Sequence, residues 1–159
     1  PTSVKTPISR ACRSARRRVY LIDTNVISEA RKGRKADAGV VAFFSQCVQQ
    51  DARVWLSVVT LGELRRGVDL IRHRGDVPQA ELLEAWLTEL MQDYRDSVLT
   101  FDLDTAQVWG RLRVPRPENA LDKQIAATAL IHDLTLVTRN VDDFAGTGVR
   151  VLNPFSQTA

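Results

Sequence analysis

The chain is poor in cysteine, in histidine and in long apolar runs, and each shortage closes a class of function. Cys12 and Cys47 stand in no CxxC spacing and can form at most one bridge. That suits a reduced, cytoplasmic chain better than a secreted disulfide scaffold. His73 and His132 fall in helical patterns at positions expected to face solvent, with no Cys or His at ligand spacing, which argues against zinc. No apolar stretch nears the roughly 20 residues of a membrane-spanning helix, so no membrane role is expected. Internal repeats and low-complexity tracts are missing from the body of the chain as well.

Acid is absent from residues 1–18, PTSVKTPISRACRSARRR, which hold Lys5, Arg10, Arg13, Arg16, Arg17 and Arg18. Those six leave 16 of the 22 basic residues to face 19 acids, so the formal net charge of +3 conceals a net-negative body. The arm has no apolar core of the secretory kind, and export is not expected. It reads as a disordered N-terminal extension ahead of one folded domain over residues 19–157. Two uses of it stay open, an electrostatic hold on RNA phosphates or an extension that the fold does not need. The second is favoured because the folded pattern begins abruptly at Val19.

From Val19 onward the periodicity alternates between strand and helix. VYLI is a short apolar strand, and NVISEARKG is a helix that ends at Gly33. DAGVVAFFSQCVQQ carries apolar residues at helical spacing behind Asp37, a good N-cap. RVWLSVV predicts the second strand and TLGELRRGVDLIRHRG a helix that stops at Gly75. After Pro78, Leu82, Leu83, Trp86, Leu87, Leu90 and Met91 form one apolar stripe expected to be core. SVLTF is the third strand, TAQVWGRLR a helix, PRPEN a loop, LDKQIAATALIHD a helix of small residues and TLVT a strand. NVDDF makes a short turn or helix, and VRVLN the closing strand. Strands alternating with helices predict an α/β fold, a three-layer α/β/α sandwich with a central parallel sheet.

In such a sheet ligands bind beyond the carboxyl ends of the strands. Polar residues stand at that edge: Asp23 after VYLI, Thr60 and Glu63 after RVWLSVV, Asp102 and Asp104 after SVLTF, and Arg139 and Asn140 after TLVT. Asp122 joins them at the start of the IAATAL helix. Each has a structural use of its own. Asp23 or Thr24 can cap a helix, Thr60 and Glu63 have capping-box spacing, and Asp104 and Asp122 suit the first turn of a helix. As a set they mean more, because gathered carboxylates raise one another's pKa unless a proton or a cation intervenes. Hard oxygen donors on a rigid rim suit Mg²⁺ or Mn²⁺ and the hydrolysis of phosphodiesters.

Five blocks in series, LIDTNVISE, SVVTLGELRRGV, FDLDTAQVWGRLR, LDKQIAATALIHDLTLVTRNVDDF and VRVLNPF, resemble the PIN-domain ribonucleases, most closely the VapC toxins of type II toxin–antitoxin systems. The resemblance runs from about Val19 to Phe155. It implies a PIN-like fold whose acid quartet binds Mg²⁺ or Mn²⁺ and cuts single-stranded RNA. The quartet positions fall on Asp23, Glu63, Asp122 and, where many members carry aspartate, Asn140. Losing that one charge is expected to weaken a second metal more than a first, and Asp143 is placed to supply a carboxylate from the next turn. Asp23 and Asp122 are expected to bind the metal directly, Glu63 directly or through water, with Asn140 and Asp143 in support. Thr24, Asn25, Thr60 and Thr138 would hold loop backbones or a water.

Arg65, Arg66, Arg111, Arg113, Arg116 and Arg139 are candidates for gripping RNA phosphates, against solvated helix faces as the alternative. Trp55, Trp86 and Trp109 fit core packing better than base stacking. The resemblance further implies a cognate antitoxin lying across the active-site groove, homodimerisation and a cytoplasmic location. A receiver module would need paired acids after its first strand and a lysine after the strand that here reads TLVTRN. A haloacid-dehalogenase phosphatase would need an aspartate where Asn25 stands. A PIN fold that binds RNA or protein without cutting remains the alternative reading, through Asn140.

Overall fold

The structure, a computed structural model, describes residues 17–156. The basic extension, apart from Arg17 and Arg18, lies outside the described residues, as do Cys12 and the expected domain end at residue 157.

Five parallel strands, β1 (Val19–Ile22), β2 (Arg53–Ser57), β3 (Val98–Leu99), β4 (Thr135–Val137) and β5 (Arg150–Leu152), lie in the order β3-β2-β1-β4-β5. Six α-helices connect them: α1 (Thr24–Ala30), α2 (Ala38–Gln49), α3 (Val58–His73), α4 (Val77–Asp93), α5 (Leu103–Leu112) and α6 (Ala120–Ile131). The chain builds outward from β1 through β2 to β3, then returns to the other side of β1 for β4 and β5. The direction of winding therefore reverses between β1 and β4. Loops diverge there and open a crevice at the carboxyl edge.

β1 is apolar throughout because both of its faces are covered, as expected for a central parallel strand. Tyr20 and Ile22 join the core formed by α1 to α4, which includes Val26, Phe43, Leu64, Val68 and Leu87. Leu21 points the other way, into a second core with Ile125, Ala126 and Ala129 of α6. Ala126, Ala127 and Ala129 are fully buried, and their small side chains let α6 lie close on the sheet. The three-layer α/β/α arrangement expected from the alternation is the one observed.

Several boundaries depart from the sequence reading. α1 ends at Ala30 rather than Gly33, and Gly33 opens a short 3₁₀ turn, Gly33–Lys35. The second strand stops at Ser57, and Val58 and Val59 belong to α3. The Ser57 hydroxyl accepts from Val59 N at 3.1 Å and so caps that helix, which displaces Thr60 from the cap position. The Thr60–Glu63 capping box is accordingly not formed. Thr60 is buried, and its Oγ1 has no hydrogen-bond partner. On α4, Leu87 and Leu90 are buried, but Leu82 and Met91 face outward, 69% and 39% exposed. The stripe is narrower than its spacing implied, because α4 packs through one edge on α3.

Asp37 caps α2 as expected, accepting from Gly39 N and Val40 N. The same carboxylate receives Ser156 N and Ser156 Oγ, at 2.9 and 3.0 Å, and ties the segment after β5 to the start of α2. Gly39 is required by that approach: a Cβ there would lie 2.2 Å from Pro154 O.

Candidate active site

Asp23 ends β1 at the reversal point, buried to 4% exposure, and also serves as N-cap of α1. Its Oδ1 accepts from Thr24 N at 2.8 Å. Its Oδ2 accepts from the Thr138 hydroxyl at 2.7 Å and from Asn25 Nδ2 at 3.3 Å. Thr138 follows β4, the neighbouring strand. Its Oγ1 in turn accepts from Asn140 N at 3.1 Å and from Asn25 Nδ2 at 3.2 Å. Asn25 Oδ1 accepts from Arg139 N at 3.1 Å. The two tripeptides Asp23-Thr24-Asn25 and Thr138-Arg139-Asn140 thus lock together side by side, and every hydrogen-bonding capacity of the Thr138 hydroxyl is used.

A cleft of about 510 Å³ opens over this lock, lined by Asp23, Thr24, Asn25, Glu63, Asp122 and Asn140 together with Asn119, Leu121 and Ile125. Glu63 is carried into it by α3 and Asp122 by the first turn of α6. Asp143 does not line the cleft but stands beside it, in the 3₁₀ turn Val141–Phe144. Burial raises the Asp23 carboxyl above its ordinary value. The hydrogen bonds from Thr138 and Thr24 pull it back, and the charge of Asp143 adds to the rise. Asp122 is pushed up to about 6, by burial first and then by the negative charges of Asp23, Asp143 and Glu63. Asp122 therefore lies close enough to acids from three other stretches of chain to feel their charge.

Among the described residues, no three Asp, Glu, His or Cys side chains already stand at ligand spacing for an ion. Like charges in a shared cleft hold one another apart. The donor set nonetheless fits a hard divalent cation: oxygen donors only, a surplus of negative charge, and open space for a phosphate and waters. Asp23, Glu63 and Asp122 would hold such an ion, with the Asn140 carboxamide as a neutral oxygen donor beside them.

Other residues at the rim are not brought into the cleft. Asp102 caps α5 after β3, the edge strand two places from β1, and its carboxylate accepts from Thr105 N and Thr105 Oγ1 at 2.9 and 2.7 Å. Those bonds hold it below the usual carboxylate range. Asp104 sits in the first turn of the same helix, away from the cleft. Thr24, by contrast, lines the cleft and donates its backbone N–H to Asp23, whereas Thr60 lies outside the lining altogether.

The arginines divide in a similar way. Arg65 is paired with Glu84 and lies 3.8 Å from Asp69. Arg113 covers the Trp109 ring at 4.7 Å. Arg66, Arg111 and Arg116 are exposed. Arg139 lies over the Phe155 ring at 4.8 Å. Trp55 and Trp86 pack against the two cores, and Trp109 Nε1 donates to Ala120 O at 3.0 Å, bracing the start of α6 two residues before Asp122. Sequence reasoning missed Asn119, which lines the cleft, and the contact between Phe155 and Arg139. Asn119 adopts a left-handed backbone, φ 54°, and makes no side-chain cap to α6, so its side chain is left for the cleft wall. A polar residue between a proline-rich loop and a helix was the available signal.

The PIN domain family model matches residues 20–149. Toxin FitB of Neisseria gonorrhoeae is 33% identical over 142 residues, which cover 86% of this chain and 99% of that protein. VapC ribonuclease Y4jK of Sinorhizobium fredii is 30% identical over 144 residues, 86% of this chain and 98% of its own length. The crystal structure of FitAcB from Neisseria gonorrhoeae superposes with a TM-score of 0.73 at 33% identity, covering 85% of this chain and 97% of that one.

Proposed function

The chain belongs to the PIN domain family, with VapC-type toxins among its relatives, and from that premise we propose that it is a Mg²⁺- or Mn²⁺-dependent endoribonuclease. Its substrate is single-stranded RNA, and it acts in the cytoplasm as the toxin of a toxin–antitoxin pair. The observation that carries this reading is the convergence of Asp23, Glu63, Asp122 and Asn140 on one cleft at the reversal point of the sheet.

The division of labour follows from the environments. Asp23 is fixed by Thr138, Thr24 and Asn25, so its free lone pairs face a set direction; it serves as the rigid anchor for a cation. Glu63 reaches the cleft from a different helix on a longer side chain and adapts to the ion and its waters. Asp122, carried by the first turn of α6, would bind the same cation, and one of the cleft's carboxylates would accept the proton of the attacking water. Asn140 and Asp143 support from the β4 side. When bound, a divalent cation neutralises the acids, orients the phosphodiester and stabilises the departing oxygen. A cognate antitoxin would silence the enzyme by covering the cleft, and a second copy of the chain would complete the homodimer.

Purified protein, free of antitoxin, is to be given Mg²⁺ or Mn²⁺ and cellular RNA, with the 5′ ends of the products sequenced. The expected result is cleavage at defined sites, lost in Asp23→Asn and in Asp122→Asn. Cleavage that persists in both variants refutes the site. RNA binding without cleavage supports the second reading, a binding module, which Asn140 in place of a fourth acid leaves open.

A further inference from the structure

We propose that Arg139, held over the Phe155 ring, grips a phosphate of the RNA strand next to the one that is cut; the inference rests on the ribonuclease reading above. Arg139 follows β4 and stands between Thr138, which holds Asp23, and Asn140, which lines the cleft. Its backbone N–H is held by Asn25 Oδ1 at 3.1 Å, and Asn25 also holds Asp23. One carboxamide therefore fixes the cation-binding acid and the root of the arginine in a common frame.

The guanidinium lies 4.8 Å from the centre of the Phe155 ring. Phe155 is itself held in place from both sides. Its N–H donates to Asn153 Oδ1 at 3.0 Å, and the next residue, Ser156, is bonded to Asp37 at the start of α2. A guanidinium held over an aromatic ring keeps N–H donors for an anion. Among the described residues no carboxylate lies within salt-bridge distance of Arg139, and none of its side-chain nitrogens makes a hydrogen bond. Arg65, by contrast, is already paired with Glu84. An unpaired guanidinium whose backbone is tied to the edge of the cleft is free to take an anion, and the anion that a ribonuclease cleft admits is a phosphodiester. The acids take the scissile phosphate through their cation, which leaves Arg139 for its neighbour.

The test measures binding of a labelled single-stranded RNA, carrying the mapped cleavage site, to the Asp122→Asn protein over a range of NaCl concentrations. Arg139→Ala is added to that background, with Arg74→Ala, exposed at the far end of α3, as control, and cleavage by Arg139→Ala alone is followed at varied RNA concentration. The expected result is binding about tenfold weaker and a salt slope smaller by about 0.7, one phosphate contact on a single strand. KM should rise with kcat little changed, and Arg139→Lys should recover part of the loss. Phe155→Ala should lower affinity in the same direction, while Arg139→Ala, at an exposed position, should leave the melting temperature unmoved. If the wild type cuts RNA and Arg139→Ala matches it in affinity, salt slope and KM, this inference is overturned and the nuclease reading stands. If the wild type neither binds nor cuts RNA, both fail.

Discussion

The Thr138 hydroxyl donates to Asp23 Oδ2 across 2.7 Å, although 115 positions separate the two residues in sequence. The bond ties the ends of the two central strands together at the point where the sheet changes its winding direction. Because the pair is buried, the carboxylate depends on this donor for its orientation and for relief of its desolvation.

Thr138→Val removes the donor and keeps the shape. It strips Asp23 of a hydrogen bond and also leaves Asn140 N and Asn25 Nδ2 without their common acceptor. A loss of about 1 to 3 kcal/mol is expected from leaving buried polar groups unpaired, together with a fall in RNA cleavage. Thr138→Ser retains the hydroxyl and should retain most of both. Urea denaturation and cleavage rates of the two variants decide it, and equal behaviour of Val and Ser contradicts the role given to the hydroxyl.

Asp122 sets a dependence on pH. Its value of about 6 in the folded protein exceeds that of an ordinary aspartate, so between the two values the folded state holds more protons than the unfolded one. Stability from this group is present at low pH and is lost as pH rises through the window from about 4 to about 6. Other carboxylates, such as Asp37 and Asp102, are shifted the opposite way and act below that range. The difference between wild type and Asp122→Asn isolates the effect. In EDTA, the variant should gain stability relative to wild type as pH rises from 4 to 7. A difference that does not change with pH contradicts the mutual repulsion of the acids.

Divalent cations should reverse that repulsion. At a cation concentration 100 times its Kd, linkage predicts stabilisation of about 2.7 kcal/mol. The rise in melting temperature with Mn²⁺ or Mg²⁺ should be large in wild type, reduced in Glu63→Gln and nearly absent in Asp23→Asn. An equal rise in all three proteins would place the ion elsewhere.

Gly39→Ala should act at a distance. The new Cβ would meet Pro154 O at 2.2 Å and Ser156 N at 2.8 Å, and both contacts are with backbone. The segment carrying Phe155 must then shift, at an expected cost of about 1 to 3 kcal/mol. Thermal denaturation reads the stability. Cleavage at subsaturating RNA reads the loss of the Phe155 support under Arg139.

The amino-acid sequence alone determined the elements whose causes are local. VYLI is a short apolar run, which is enough to read it as a strand, although its central place in the sheet is not written there. Asp37 before an amphipathic run is an N-cap wherever the helix ends up. The five motif blocks, in order, carried the family and with it the acids Asp23, Glu63 and Asp122.

Tertiary structure decided what depends on residues far apart in the chain. Val58 and Val59 have strand-like side chains, but Ser57 caps a helix there and α3 starts early. Asp102 and Asp122 look alike as acids near helix starts. One follows an edge strand and caps its helix, while the other begins the helix that lies against the central strands and meets Asp23. Nothing in the neighbourhood of Arg139 pairs it with Phe155, because that contact joins the ends of β4 and β5. Hydrogen-bonding and periodicity signals reach only a few residues along a chain, whereas burial, charge repulsion and the pKa of Asp122 are set by which strand lies beside which. In this fold that was settled by the reversal of winding between β1 and β4.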